Sequence, residues 1–173
     1  MSKRIRQWIG IASAIIAYYL VHEGAHLLYA ICTSVFKEIN FMGIGMQIDV
    51  YADKMTNTLL GIFCLVGSLA TLIAAYELVL LTGRICGIHS KVFKACMYYI
   101  TIAMLLLDPL YLSILCGFFG GGDMNGISLL VPEAAARIGY GVLLIINLLV
   151  FWKVVLPKYT LSFSFQGQKI DPV

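Results

Sequence analysis

The stretch YYLVHEGAHLLYA, residues 18–30, sets two histidines and a glutamate inside a run that is otherwise apolar enough to lie in lipid. Ionisable groups in such a setting are costly and mark function, so the surroundings of this run decide how it is read. Of the 173 residues, 61% are hydrophobic and only 12% charged, with a mean hydropathy of +0.91. A soluble domain of this size needs far less apolar material for its core. Four apolar stretches, 7–34, 58–82, 95–117 and 132–152, each reach the ~20 residues that a helix needs to cross hydrocarbon. The expected fold class is an all-α integral membrane protein, with residues 1–173 forming a single domain.

Lys3, Arg4 and Arg6 followed by an apolar run resemble the start of a signal peptide. The run is too long for that and passes through His22, Glu23 and His26 without a cleavage site before them, so it reads as the first membrane helix. Nine of the twelve Lys and Arg residues fall on one side of the four stretches and three (Lys37, Lys54, Arg137) on the other. The positive-inside rule then places both termini in the cytoplasm, with the plasma membrane as the expected location. The basic residues form no stripe, so the net charge of +3 implies no nucleic-acid partner. The five cysteines show no CxxC spacing and read as packing thiols.

The connections differ in character. INFMGIGMQIDVYA, residues 39–52, alternates with period two and predicts a β-hairpin at the membrane boundary. TGRICGIHSK, residues 82–91, predicts a short polar turn. Residues 118–131 contain three consecutive glycines and end before Pro132, which argues for a re-entrant turn rather than a continuous helix. The last helix is expected to start near Pro132 with Glu133 in its first turn. SFSFQGQKIDPV, residues 162–173, reads as an exposed tail.

On a helix, positions i and i+4 lie ~40° apart around the axis and ~6 Å along it, so His22 and His26 project from one face. Two imidazoles so placed can grip one zinc ion. Glu23 lies on the adjacent part of that face, where its carboxylate can take a proton from water on the metal, the logic of an H-E-x-x-H motif. At this chain's own His and Glu frequencies, a chance match has odds of about one in a thousand. The bland reading is a pair of hydrogen-bonding histidines with a glutamate partner.

A catalytic zinc takes a third protein ligand and leaves its fourth position to water. Asp108, Asp123, Glu77 and Glu133 are the acidic candidates; His89 falls in the opposite turn. At 1.5 Å per residue, His22 is ~24 Å from Arg6 and Asp108 ~21 Å from Lys94, which are compatible depths. Glu77 lies towards the other end of its helix. Gly120, Gly121 and Gly122 would allow the chain to fold back and bring Asp123 to the metal. This favours Asp123; Asp108 would then orient a ligand histidine or cap the break made by Pro109.

HEGAH in an apolar helix, LVGSLATLI (65–73) in the second, and an aspartate in a glycine-rich turn before the last together resemble the site-2 protease family of intramembrane zinc metalloproteases. The resemblance spans roughly residues 7–152. Where that family has G-P-x-x-N in its second core helix, Gly67, Ser68 and Thr71 stand here. Its N-P-x-x-x-L-D-G segment is replaced by LDPLYLSILCGFFGGGDMNGI, which looks like a divergent branch with a Gly-Asp ligand. The family places its site nearer the cytoplasm, whereas the charge count places this one nearer the far side.

The resemblance implies hydrolysis of peptide bonds in membrane-embedded or membrane-anchored proteins. His22, His26 and Asp123 would hold Zn2+, and Glu23 would act as general base. The hairpin would either pair with an extended substrate or, through Gly43 and Gly45, mark a bulge without such a role. The implied partners are the protein substrate and the bilayer, with an accessory membrane protein or a second copy of the chain left open. The alternative is a membrane protein that binds metal without hydrolysis, a transporter or scaffold.

Overall fold

The computed structural model describes residues 1–42 and 45–165. Three long helices each begin on a hydroxyl cap, which satisfies an amide that the first turn leaves without a partner. Ser2 accepts from the Ile5 N–H ahead of α1 (Lys3–Cys32), Thr56 from Leu59 ahead of α2 (Asn57–Gly87), and Ser90 from Phe93 ahead of α3 (Lys91–Leu110). Helix α1 ends in a reversed turn, with Val35 N–H donating to Ala30 O and Ser34 N–H to Ile31 O. Ser34 holds φ +57, the position where such an ending usually has glycine.

Helix α3 continues through a π turn, Tyr111–Leu115, into α4 (Cys116–Phe119). The glycine turn and a short α5 (Asp123–Ile127) follow. Helix α6 (Glu133–Val150) starts from Pro132, as expected, and passes through a second π turn, Phe151–Val155, into α7 (Leu156–Phe165). Helices α1, α2 and α3 pack on one another, and α6 packs on α3.

Four rods, Lys3–Cys32, Asn57–Gly87, Lys91–Phe119 and Glu133–Ser164, are long and apolar enough to cross a membrane. Apolar side chains cover the outside as well as filling the core, and several polar ones are buried. Leu20, Leu80, Ile138 and Trp152 are exposed, while His22, Thr71, Asp108 and Asn147 are buried. Helices solvated by lipid gain nothing from hiding leucine and much from hiding hydrogen-bonding groups.

The helices run further than the apolar stretches. Helix α2 continues to Gly87, so the turn expected at 82–91 shrinks to residues 88–90. Nothing in TGRICG breaks a helix: Thr82 donates back to Leu78 O, and Arg84 suits the negative end. The tail expected from 162 is helical to 165, with Ser162 Oγ accepting from Lys94 Nζ at 2.6 Å; residues 166–173 lie outside the described residues.

The hairpin is present but displaced from 39–52. Strand β1 is Phe36–Met42 and β2 is Gly45–Val50, antiparallel, with Ile39 opposite Ile48 and an irregularity between Phe36 and Glu38. Of the two glycines considered for a bulge, Gly45 pairs with Met42 at the start of β2, where the register shows no irregularity, and Gly43 lies outside the described residues. Ile48 is buried with Val35, Ala30, Phe63 and Leu112, which seats β2 against α1 and α2.

Pro109 lies inside α3 and has no N–H, so the Leu105 carbonyl loses its helical donor. Asn147 of α6 replaces it, its Nδ2 donating to Leu105 O at 2.6 Å while its Oδ1 accepts from the Tyr76 hydroxyl at 2.7 Å. The proline break is thus answered across the bundle by Asn147, not by Asp108.

Candidate metal centre

His22 and His26 lie one turn apart on α1 and are 7% and 3% exposed. Both turn Nε2 to the same point, 3.2 Å apart. Asp123 arrives from α5, its Oδ2 3.1 Å from His22 Nε2 and 3.5 Å from His26 Nε2. Tetrahedral zinc with bonds of 2.0–2.2 Å would set its donors about 3.3 Å apart, so this triangle has the dimensions such an ion needs. Among the described residues, these three form the group of His, Cys, Asp and Glu side chains close enough to share a metal.

The outer contacts fix which nitrogen is free. Both oxygens of Asp108 face His22 Nδ1, at 3.2 and 3.3 Å. Asp108 also accepts from the hydroxyls of Tyr18 and Thr71 and is 2% exposed. A carboxylate with that many donors is fixed as an acceptor, so His22 carries its proton on Nδ1 and presents a lone pair at Nε2. His26 Nδ1 has no hydrogen-bond partner among the described residues, and its ring is held by packing on Phe63, centroids 4.7 Å apart.

Two glycine contacts close the triangle. A Cβ on Gly67 of α2 would sit 2.5 Å from His26 Nε2 and 2.8 Å from His22 Nε2, so only glycine lets α2 pass this close to the ligating tips of the imidazoles. Gly126 of α5 lies against the Cys64 side chain and Leu60 O, which seats α5 on α2. Met124 and Ile127 plug the same helix into the core. Gly120 and Gly122 have φ of +87° and +45°, a backbone path that other residues adopt only with strain. Tyr111 pins the turn by donating to Gly120 O at 2.8 Å.

Glu23 is outside the triangle but lines the same cleft, of about 750 Å³. Its carboxylate shares that cleft with Ile48 of β2. Among the described residues β2 pairs only with β1, and β2 lines the cleft along with Tyr19 and Asn125. The structure therefore brings together His22, Glu23, His26 and Asp123. Asp108 stands behind His22, and Glu77 is exposed elsewhere on α2. Tyr18 and Thr71 were not foreseen as site residues. Tyr18 had a signal, since it precedes His22 by one turn on the same stripe.

No protein-family model matches this chain, and neither a curated protein nor a solved structure does.

Proposed function

We propose that this chain is an intramembrane zinc metalloprotease of the site-2 protease kind, with four membrane-crossing helices, acting on membrane-embedded or membrane-anchored proteins. The observation that carries the reading is the triangle of His22 Nε2, His26 Nε2 and Asp123 Oδ2, with Glu23 in the same cleft. The donor chemistry fits zinc: two neutral imidazoles and a carboxylate with an orienting carboxylate behind one ring. Bound there, zinc would supply Lewis-acid polarisation of a peptide carbonyl and an acidified water.

The chain's own residues supply the rest. Glu23 accepts a proton from the attacking water and returns it to the leaving amine, a role that needs a carboxylate near the ligands but not bound among them. Asp108 holds His22 in the tautomer that ligation requires. The edge of β2 offers main-chain groups to an extended peptide, and a substrate helix must unwind before its carbonyls are open to attack.

The test is Glu23→Gln in the purified protein with a membrane-anchored substrate. Cleavage should be abolished while bound zinc stays near one per chain. Activity retained in that variant would remove the mechanism. Wild-type protein that holds zinc but cleaves no membrane-anchored substrate would favour a transporter or scaffold.

A further inference from the structure

Helix α2 carries an acid on its outer face. Glu77 is exposed, and around it on that face Ile73, Leu80 and Leu81 are exposed apolar residues. A helix of 31 residues is ~46 Å long and overhangs a ~30 Å hydrocarbon core by ~8 Å at each end. Glu77 stands ten residues before Gly87, the end of α2, and so lies ~7 Å inside that core. The rod Glu133–Ser164, of 32 residues, runs in the same direction, as second and fourth crossings must. It carries Lys153, also exposed, eleven residues before its end and so within about a helical turn of the same depth. Among the described residues neither Glu77 nor Lys153 has a hydrogen-bond or ion-pair partner.

Hydrocarbon supplies no counter-charge, and ionisable groups inside a membrane are kept where a partner meets them. Lysine can lift its amine along its stem to the headgroups, but the short arm of glutamate cannot follow, so Glu77 needs a cation brought to it. Within one copy Lys153 does not pair with it, although the two rods are neighbours. The π turn Phe151–Val155 packs on α2, and the Tyr76 hydroxyl donates to Asn147 Oδ1. An outward acid and an outward base on neighbouring rods at one depth make a self-complementary face. A two-fold axis along the membrane normal sets each acid against the other copy's base.

We propose that two copies of this chain pair in the membrane through this face, Glu77 of each meeting Lys153 of the other, with the exposed Ile73, Leu80, Leu149 and Trp152 packed around the two ion pairs. A separate partner helix with one cation would satisfy Glu77 and leave Lys153 alone, so the two charges together decide for a second copy. The pairing needs the membrane setting of the preceding reading and neither its metal nor its proteolysis.

The experiment is subunit counting by single-molecule photobleaching of the labelled full chain in dioleoyl phosphatidylcholine vesicles, over a range of protein-to-lipid ratios. Zinc content and circular dichroism are recorded for every variant. Wild type should dimerise. Glu77→Lys alone and Lys153→Glu alone should each weaken dimerisation at least about tenfold, because each sets like charges together. Mixed before reconstitution, the two single variants should pair with each other to within about threefold of wild type, since both contacts then join opposite charges. A contact inside one copy could not be rescued in this way. Glu77→Gln and Lys153→Gln add no charge; together they should weaken pairing no more than either does alone, and they decide the matter where an exchanged variant loses helicity. Monomeric wild type at every ratio, dimers indifferent to both exchanges, no pairing between the mixed variants, or additive losses in the glutamine pair would each overturn the proposal. Recovery in the mixture supports it whether or not the protein proves to hold zinc or cleave a substrate.

Discussion

Asp108 faces Nδ1 of His22 with both carboxylate oxygens, while Asp123 meets the Nε2 of the same ring at 3.1 Å. One imidazole thus has an acid on each side, and the two acids have different work. Asp108 is saturated by Tyr18, Thr71 and His22, which in the proposed site leaves Asp123 as the acid available to a metal. Asp123→Ala should therefore abolish stoichiometric zinc, whereas Asp108→Asn should weaken zinc by about 10–100-fold without abolishing it at saturating metal. Zinc titration of the two purified variants separates the roles. Equal losses would mean that Asp108 is itself a ligand.

Gly67 should tolerate no side chain. Gly67→Ala would put a methyl group 2.5 Å from His26 Nε2, and α2 cannot withdraw without opening the core around Phe63 and Cys64. The expected result is a helical protein with little bound zinc and no cleavage. Gly83→Ala, on the same helix with nothing within 4 Å, should retain both and gain about 0.5–1 kcal/mol of stability from the better helix former. A Gly67→Ala protein that binds zinc normally would show that the imidazoles do not sit as described.

The pair Pro109 and Asn147 carries a stability prediction. Asn147→Leu leaves the Leu105 carbonyl and the Tyr76 hydroxyl without their partners and should cost about 1–3 kcal/mol. Restoring the missing amide with Pro109→Ala gives Leu105 O a donor within its own helix. The cost of Asn147→Leu should then be smaller in the Pro109→Ala background, by about 1 kcal/mol in a double-mutant cycle of unfolding free energies. Additive effects would mean that Asn147 does not answer the proline.

How much of this was legible depends on how local each cause is. The His pair follows from one helical turn, and Asp123 from three glycines beside it. Hydropathy located the four rods but not their ends, because it reports what lies in lipid, and Arg84 or Lys91 can extend a helix into water without cost. The hairpin start was missed because its first residues, Phe36 to Glu38, break the period-two pattern where the ladder is irregular. Thr71 on α2 and Asn147 on α6 act through partners far away in sequence, Asp108 for the first and Leu105 and Tyr76 for the second, and local spacing does not reveal those partners.

Delivery of Asp123 depends on α5 staying against α2, and Gly126 is where that contact is tightest. A Cβ there would meet the Cys64 side chain and lie 3.2 Å from Leu60 O. Gly126→Val should lift α5 from α2 and withdraw Asp123 from the imidazoles, reproducing the zinc loss of Asp123→Ala with the helices intact by circular dichroism. Space can be returned from the other side: Cys64→Gly removes the atoms in the way, so the Cys64→Gly/Gly126→Ala pair should bind zinc better than Gly126→Ala alone. Gly139→Ala, with nothing within 4 Å, should change neither zinc nor stability by more than the helix-propensity increment. Full zinc occupancy in Gly126→Val would show that Asp123 reaches the histidines without α5 being seated on α2.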